Sequence, residues 1–334
     1  MGCLGAIDRA AIEGWARAYR PHWHGADASL GAVMRRAAEV GEQAFTAHDL
    51  RQSCAAWIDA QLPAELRRRL HRAVNERRTG RAIAGLTLLL ALCGWINGGD
   101  EGARLAVIGA LPGPAPATSH TMRSRRDARR LSPAEAPDLF ALVHAICHRA
   151  GLRRMPEIYL LPAERTMNAY ALGTPDDAVI TLTSGLLDGM SRDEVAAIIA
   201  HEIAHICNGD ASTMALAASL HRAVRLISAA GIVAMSGHRG FAHRAPLGCV
   251  LQAAPVIAEL LCLALSRIRE LAADAFALDL IADPRTLAVA LEKLERHHRS
   301  VDRSLALGVE DGFTAYLRSH PTTDQRVGFV HVLA

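Results

Sequence analysis

Apolar positions are spread unevenly along the chain, and several dense runs stand out. Ala82–Ile96 is strongly apolar and includes Leu86, Leu88, Leu89, Leu90 and Leu92. Leu105–Leu111 follows a polar turn that contains Asp100 and Glu101. Val224–Ser236 carries Arg225, and Leu247–Leu265 carries Gln252 and Glu259. Only the last run comes close to the roughly 20 residues that an upright helix needs to cross a bilayer. Two readings compete: membrane hairpins, or helical hairpins buried within protein. Arginines flank the first pair of runs, with Arg77, Arg78 and Arg81 before it and Arg123, Arg125, Arg126, Arg129 and Arg130 after it. This charge pattern favours a membrane hairpin with both ends in the cytosol. On that reading Glu259 requires a polar partner within the bundle.

Elsewhere the pattern changes period. Glu157–Leu161 reads as a short strand, Asn168–Gly173 as a second, and Ala178–Thr183 as a third, rich in β-branched residues. Thr174-Pro175-Asp176-Asp177 is turn chemistry between the last two. Ser132-Pro133-Ala134-Glu135 has the form of a capping box with proline at the first helical position. It predicts a helix running on through Leu139, Leu142, Val143 and Ile146. Ser191-Arg192-Asp193-Glu194 is a second capping box, leading into the apolar Val195–Ala200. Asn208-Gly209 is the natural stop of that helix.

The expected fold is α+β and mostly helical. Residues 1–80 read as a helical region of unknown role, with helix starts near Thr46–Asp49 and Pro63. Residues 81–130 form the first apolar hairpin and an arginine-rich linker. Residues 131–334 form the main domain, with the second apolar hairpin inserted at about 214–265.

The chemistry centres on His201-Glu202-Ile203-Ala204-His205. On a helix the two histidines lie one turn apart on one face. Two imidazole nitrogens can then reach one metal ion, and the glutamate between them is the candidate base for a water molecule. Catalytic zinc usually keeps three protein ligands and an open position. The best third ligand is Glu270, in Glu270-Leu271-Ala272-Ala273-Asp274. Glu270 and Asp274 are also four apart, inside an otherwise apolar helix, and buried carboxylates need partners. A metal suits Glu270 and an imidazole N–H suits Asp274. The competing reading is a surface helix whose acids pair with Arg267 and Arg269.

These motifs resemble those of the HtpX-type membrane zinc metallopeptidases, related more distantly to the CAAX prenyl proteases. The matching stretch runs from about Leu131 to Ala334. It includes Asn168-Ala169-Tyr170-Ala171, Thr183-Ser184-Gly185-Leu186-Leu187, the His201–His205 motif, Asn208-Gly209-Asp210, Glu270–Asp274, and His320-Pro321 with Arg326. The resemblance implies a gluzincin-type domain with a small β-sheet, the motif helix and apolar helical hairpins. It implies one zinc ion per chain, held by His201, His205 and Glu270, with Glu202 activating water and Asp274 steadying a ligand histidine. A strand edge near Asn168, Ala169, Tyr170 and Ala171 is expected to hold an extended peptide through main-chain hydrogen bonds. His320 and Arg326 match positions beside the oxyanion of the tetrahedral intermediate. Asp210 also matches a recurrent position, where capping or orientation of the helix end is the plain reading.

The function so implied is zinc-dependent endopeptidase cleavage of proteins or peptides, with a role in membrane protein quality control. The expected location is the cytoplasmic membrane, with membrane lipid around the hairpins and the catalytic domain facing the cytosol. A soluble cytoplasmic enzyme is the alternative location. The alternative function is an inactive zinc-binding scaffold or adaptor that recruits a partner through residues 1–80; intact Glu202 and Glu270 speak against it.

Composition narrows the remaining choices. The chain has 334 residues, of which 51% are hydrophobic and only 4% aromatic, which suits packed helices. A net charge of +3 is too mild to argue for nucleic acid. Lys293 is the lone lysine, so arginine clusters are partly a habit of composition. Seven cysteines, odd in number and without a Cys-x-x-Cys pair, indicate neither a disulfide framework nor a cysteine zinc site. His22 and His24 read as a surface loop, not a metal site. Neither a secretory signal nor a myristoylation site is expected from the first residues. No pattern in the chain indicates an oligomeric state.

Overall fold

Glycines divide the first apolar region. In the computed structural model, which describes residues 64–110, 119–236, 241–281, 283–305 and 323–333, helix α1 runs Ala64–Ala110 and breaks at Gly98 and Gly99. Gly99 has φ 61° and ψ −151°, a combination open essentially only to glycine. The two legs fold against each other beyond the break. A Cβ added at Gly94 would lie 2.5 Å from the Gly102 carbonyl oxygen and 2.7 Å from Ala106 Cβ. The expected hairpin therefore forms as one interrupted helix, closed by glycine contacts.

The second apolar pair is α6 (Asp210–Ser236) and α7 (Phe241–Leu280). Both extend well beyond the apolar runs that predict them. The physical reason is that their polar ends bond to one another, as Asp210 does with Arg269, so helix can continue through charged residues. Leu86, Leu90 and Cys93 of α1 pack with Leu220 and Val224 of α6 and with Leu251, Ala258 and Leu265 of α7. The outer faces remain apolar and bare: Leu88, Trp95, Ile108, Leu226, Val233, Val256 and Leu260 are all exposed. Arg72–Ala110, Asp210–Ser236 and Pro246–Leu280 are long and apolar enough to cross a membrane.

The sheet has the order β1-β2-β4-β3. Its strands are β1 (Arg129–Arg130), β2 (Glu157–Leu161), β3 (Ala169–Thr174) and β4 (Asp177–Thr183). β2 and β4 are parallel, while β3 and β4 form an antiparallel hairpin that closes at Thr174 opposite Asp177. β1 falls in the stretch read as a linker. It pairs with β2 in antiparallel register, its arginine side chains stay exposed, and so no apolar pattern marks it. A short helix α2 (Ser119–Arg123) precedes it.

One helix start requires correction. Ser132 and Glu135 do make capping-box contacts, with Ser132 N donating to Glu135 Oε2 at 2.9 Å, but they close an isolated turn. Helix α3 begins at Pro137 and ends at Ala150. Ala136 is non-helical, with φ −138° and ψ 61°, in keeping with the resistance to helix of a residue before proline, so the turn does not run on into the helix. After β4 comes the short α4 (Ser184–Gly189), then α5 (Arg192–Cys207), α8 (Pro284–Leu305) and α9 (Thr323–Leu333). The capping box at Ser191 forms in full, with Ser191 N donating to Glu194 Oε2 at 2.7 Å and Glu194 N to Ser191 Oγ at 3.3 Å.

Helix α5 is the centre of the core. Ile199 and Ile203 are fully buried among Ile146 of α3, Ile158 of β2 and Ile180 and Leu182 of β4. All these elements belong to the unit Leu70–Ala334. The readings of residues 1–63, including His22, His24 and the helix start at Thr46–Asp49, lie outside the described residues.

Candidate metal centre

The motif helix α5 brings three chemical groups to one end of the core. His201 and Glu202 are buried and His205 is half-buried. The Nε2 atoms of His201 and His205 stand 2.9 Å apart, with the rings edge to face at 87°. Glu270 arrives from α7, with Oε2 3.4 Å from His201 Nε2 and Oε1 3.6 Å from His205 Nε2. One ligand atom from each of the three lies within 4.8 Å of the others.

The outer nitrogens of both rings are taken. His201 Nδ1 lies 3.0 Å from Asp274 Oδ1, and His205 Nδ1 lies 2.5 Å from Asp210 Oδ2. A carboxylate at Nδ1 draws the imidazole proton to that side. Both Nε2 lone pairs then point inward, toward each other and toward the Glu270 carboxylate. Three acceptors facing one point repel unless a cation sits among them. The donor set of two imidazoles and a carboxylate fits zinc, which prefers nitrogen and oxygen ligands of this kind.

The electrostatics agree. Burial and the Arg326 charge work against a charged His201, but Asp274 and Glu270 outweigh both and push its pKa up to about 10. His205 is likewise raised: burial and His201 oppose the charge, while Asp210 and Glu270 prevail. Such a cluster holds either a proton or a cation. Burial pushes the Glu202 carboxyl above the usual carboxylate range, against the pull of the two histidines and a backbone hydrogen bond from Ala171.

Arg326 reaches the same point from α9. Its Nε and Nη2 donate to Asp274 Oδ2 and Oδ1 at 2.9 and 2.7 Å, and its Nη1 lies 3.4 Å from Glu270 Oε2. Its Nη2 also stands 3.3 Å from His201 Nε2. Helix α9 is pinned near its start, where Thr323 Oγ1 donates to Glu295 Oε2 of α8 at 2.7 Å. His320 lies outside the described residues.

Strand β3 lies at the edge of the sheet and packs on α5. Its side chains alternate between two environments. Ala169 and Ala171 pack on the core that holds α5, whereas Tyr170 and Leu172 pack with Met122, Tyr159 and Val179 on the other face. The Tyr170 hydroxyl accepts from Arg125 Nη1 at 3.3 Å, away from the histidines. Asn168 is tied at the strand entrance, its N–H donating to Thr183 Oγ1 at 3.0 Å.

Two residues of the centre escape a reading of the sequence. Asp210 was legible as a helix-end residue, yet its carboxylate bonds His205. Arg269 was legible as a surface partner for Glu270, yet it is buried and bonds Asp210. The only sequence signal is Asn208-Gly209, since a left-handed glycine directly after a helix turns the chain back toward that helix; Gly209 has φ 65°.

Residues 133–332 match the profile of peptidase family M48. The chain is 32% identical to a "Protease HtpX homolog" of Nostoc sp. over 274 residues, covering 76% of this chain and 90% of that protein. A "Protease HtpX homolog" of Salinibacter ruber is 33% identical over 277 residues, covering 78% of this chain and 99% of that protein. The crystal structure of S. mikatae Ste24p superposes with a TM-score of 0.42 at 17% identity, covering 96% of this chain and 80% of that one. That superposition is too loose to bear on function.

Proposed function

This chain belongs to peptidase family M48, and from that premise we propose that it is a zinc-dependent metalloendopeptidase anchored in a membrane. The observation that supports the metal is the convergence of His201, His205 and Glu270, whose ligand atoms lie within 4.8 Å of one another. Bound zinc would supply Lewis acidity, making a water molecule more acidic and polarising the scissile carbonyl.

The chain's own residues do the rest. Glu202 accepts the proton of the attacking water and returns it to the leaving amine. Its burial keeps competing water away and raises its affinity for that proton. Among the described residues β3 is an edge strand, and its main-chain groups are the candidate partners of an extended substrate, with the small Ala169 and Ala171 beside the centre and Tyr170 directed elsewhere. Strand addition of this kind places little demand on substrate sequence. Arg326 supplies a fixed positive charge beside the centre and holds Asp274; together with His320 it is the candidate support for the oxyanion.

The bare apolar faces of α1, α6 and α7 support a location in lipid. The arginines on both sides of the first hairpin support a cytosolic catalytic domain. Protein or peptide substrates in the membrane or at its surface follow, with membrane protein quality control as the biological setting.

The test combines zinc content with casein cleavage by the purified full-length chain. Wild type is expected to hold one zinc ion, to cleave, and to stop when the metal is chelated. Glu270→Ala is expected to lose the metal. Glu202→Gln is expected to keep it and fall silent, which separates a peptidase from a zinc-holding scaffold. Cleavage by chelator-treated, zinc-free protein at the untreated rate would reject the metal reading.

A further inference from the structure

Each histidine of the centre leans on a carboxylate, and each carboxylate on an arginine, but the two arginines sit on different helices. The His201 support runs through Asp274 to Arg326 on α9. The His205 support runs through Asp210 to Arg269 on α7, 59 residues further along the chain. From there Arg269 reaches two more places. Its Nη2 donates to the Asn208 carbonyl at 3.1 Å, and its Nη1 to Thr79 Oγ1 of α1 at 3.3 Å.

Thr79 is one of several separate points at which side chains of α1 and α7 meet. On one side of it Arg72 Nη1 donates to Asp279 Oδ2 at 2.7 Å, and the Arg72 guanidinium lies 5.0 Å from the Phe276 ring centroid. On the other side the open face of Gly85 lies against Leu261, 3.5 Å from where a Cβ would stand. Leu86 of α1 and Leu265 of α7 belong to the same apolar cluster. Asp210 is itself the first residue of α6, so this support joins the α5–α6 turn to both α7 and α1.

Stability alone is a poor account of the Asp210–Arg269 pair. Both side chains are only 8% exposed, and burying an ion pair costs about as much as it returns. Orientation is the better account. A carboxylate held from behind by a guanidinium cannot rotate away from the imidazole it fixes.

We propose that Asp210 and Arg269 are positioning residues for His205, and that Arg269 is the joint through which the first apolar helix sets the geometry of the metal centre. This rests on the reading of His201, His205 and Glu270 as metal ligands. The packing of α1 against α7 then bears on how well one ligand is aimed, through the contacts that lead from Thr79 by Arg269 and Asp210 to His205.

The experiment measures zinc affinity by chelator competition, together with the visible absorption of the cobalt-substituted protein, which reports ligand geometry without turnover. Asp210→Asn and Arg269→Gln are each expected to weaken zinc about 10- to 100-fold and to shift the cobalt spectrum. Arg269→Lys is expected to recover part of the affinity. Thr79→Val is expected to weaken zinc a few-fold, with Thr79→Ser restoring it. The double variant Asp210→Asn/Arg269→Gln leaves no lone buried charge, so it reports on the folded protein should a single variant unfold. Folded variants with wild-type zinc affinity and cobalt spectra overturn the inference alone. A response to Arg269→Gln with none to Thr79→Val overturns the link to α1. A wild type that fails to bind zinc overturns the metal reading, and the inference with it.

Discussion

Helices α5 and α6 are consecutive, both rich in apolar residues, and separated only by Asn208 and Gly209. Their surroundings nevertheless differ. In α5 the buried set is nearly unbroken, running from Ala197 to Ala204, so protein covers the helix on all sides. In α6 the buried set is a stripe of Ala217, Leu220, Val224, Ser228, Gly231 and Met235, at the three- and four-residue spacing of a single helix face. Its back carries Leu226 at 72% and Val233 at 71% exposure. A helix apolar all round needs an apolar medium on every side. For α5 that medium is the enzyme core. For α6 the described residues leave its apolar back exposed, a surface that suits association with a membrane.

The sharpest way to exploit the contrast is at the chemical end of α5. Glu202→Gln keeps shape and burial but removes the proposed base, so on the proposed mechanism casein cleavage is expected to fall by about 10²- to 10⁴-fold with metal content unchanged. Retained cleavage would mean that the burial of α5 serves something other than this reaction.

Truncation compares the two environments directly. Ile203→Ala, at a fully buried position, is expected to cost about 2–5 kcal/mol in denaturant unfolding of the detergent-solubilised protein. Leu226→Ala is expected to leave that midpoint nearly unmoved. Equal losses would show that α6 is covered by protein on its back as well.

Charge comes next in size. Leu226→Arg would place an arginine on the outer face of α6, at a cost of about 2.5–3.5 kcal/mol if that face meets the bilayer centre. The expected result is reduced recovery in the carbonate-resistant membrane fraction. Unchanged recovery, or wild type found wholly in the wash, would remove lipid from the comparison.

The smallest expected effect lies at the start of α5. Ser191→Ala removes one half of the capping box and is expected to cost about 1 kcal/mol, read as a shift in thermal midpoint. The helix should survive it, because its stability comes mostly from burial on all sides.

Local physical rules made much of this protein legible in its sequence. The capping box at Ser191, the spacing of His201, Glu202 and His205, the stop at Asn208-Gly209 and the β3–β4 hairpin all depend on residues within a few positions of one another. Chain neighbours suffice to set such features. Glu270 and Asp274 were readable as a pair because helical periodicity makes two buried carboxylates four apart conspicuous.

Tertiary structure decided the rest. The Arg269–Asp210 bond joins residues 59 apart on different helices, and no periodicity connects them. The start of α3 moved to Pro137 because the residue before a proline resists helix, which outweighs the hydrogen bonds of the Ser132 box. Tyr170 turned away from the centre because strand alternation allots Ala169 and Ala171 to the face that α5 covers, and the position of α5 follows from packing. Which apolar surfaces are buried and which are left bare was likewise settled only when the helices met, since hydrophobicity drives burial without specifying the partner.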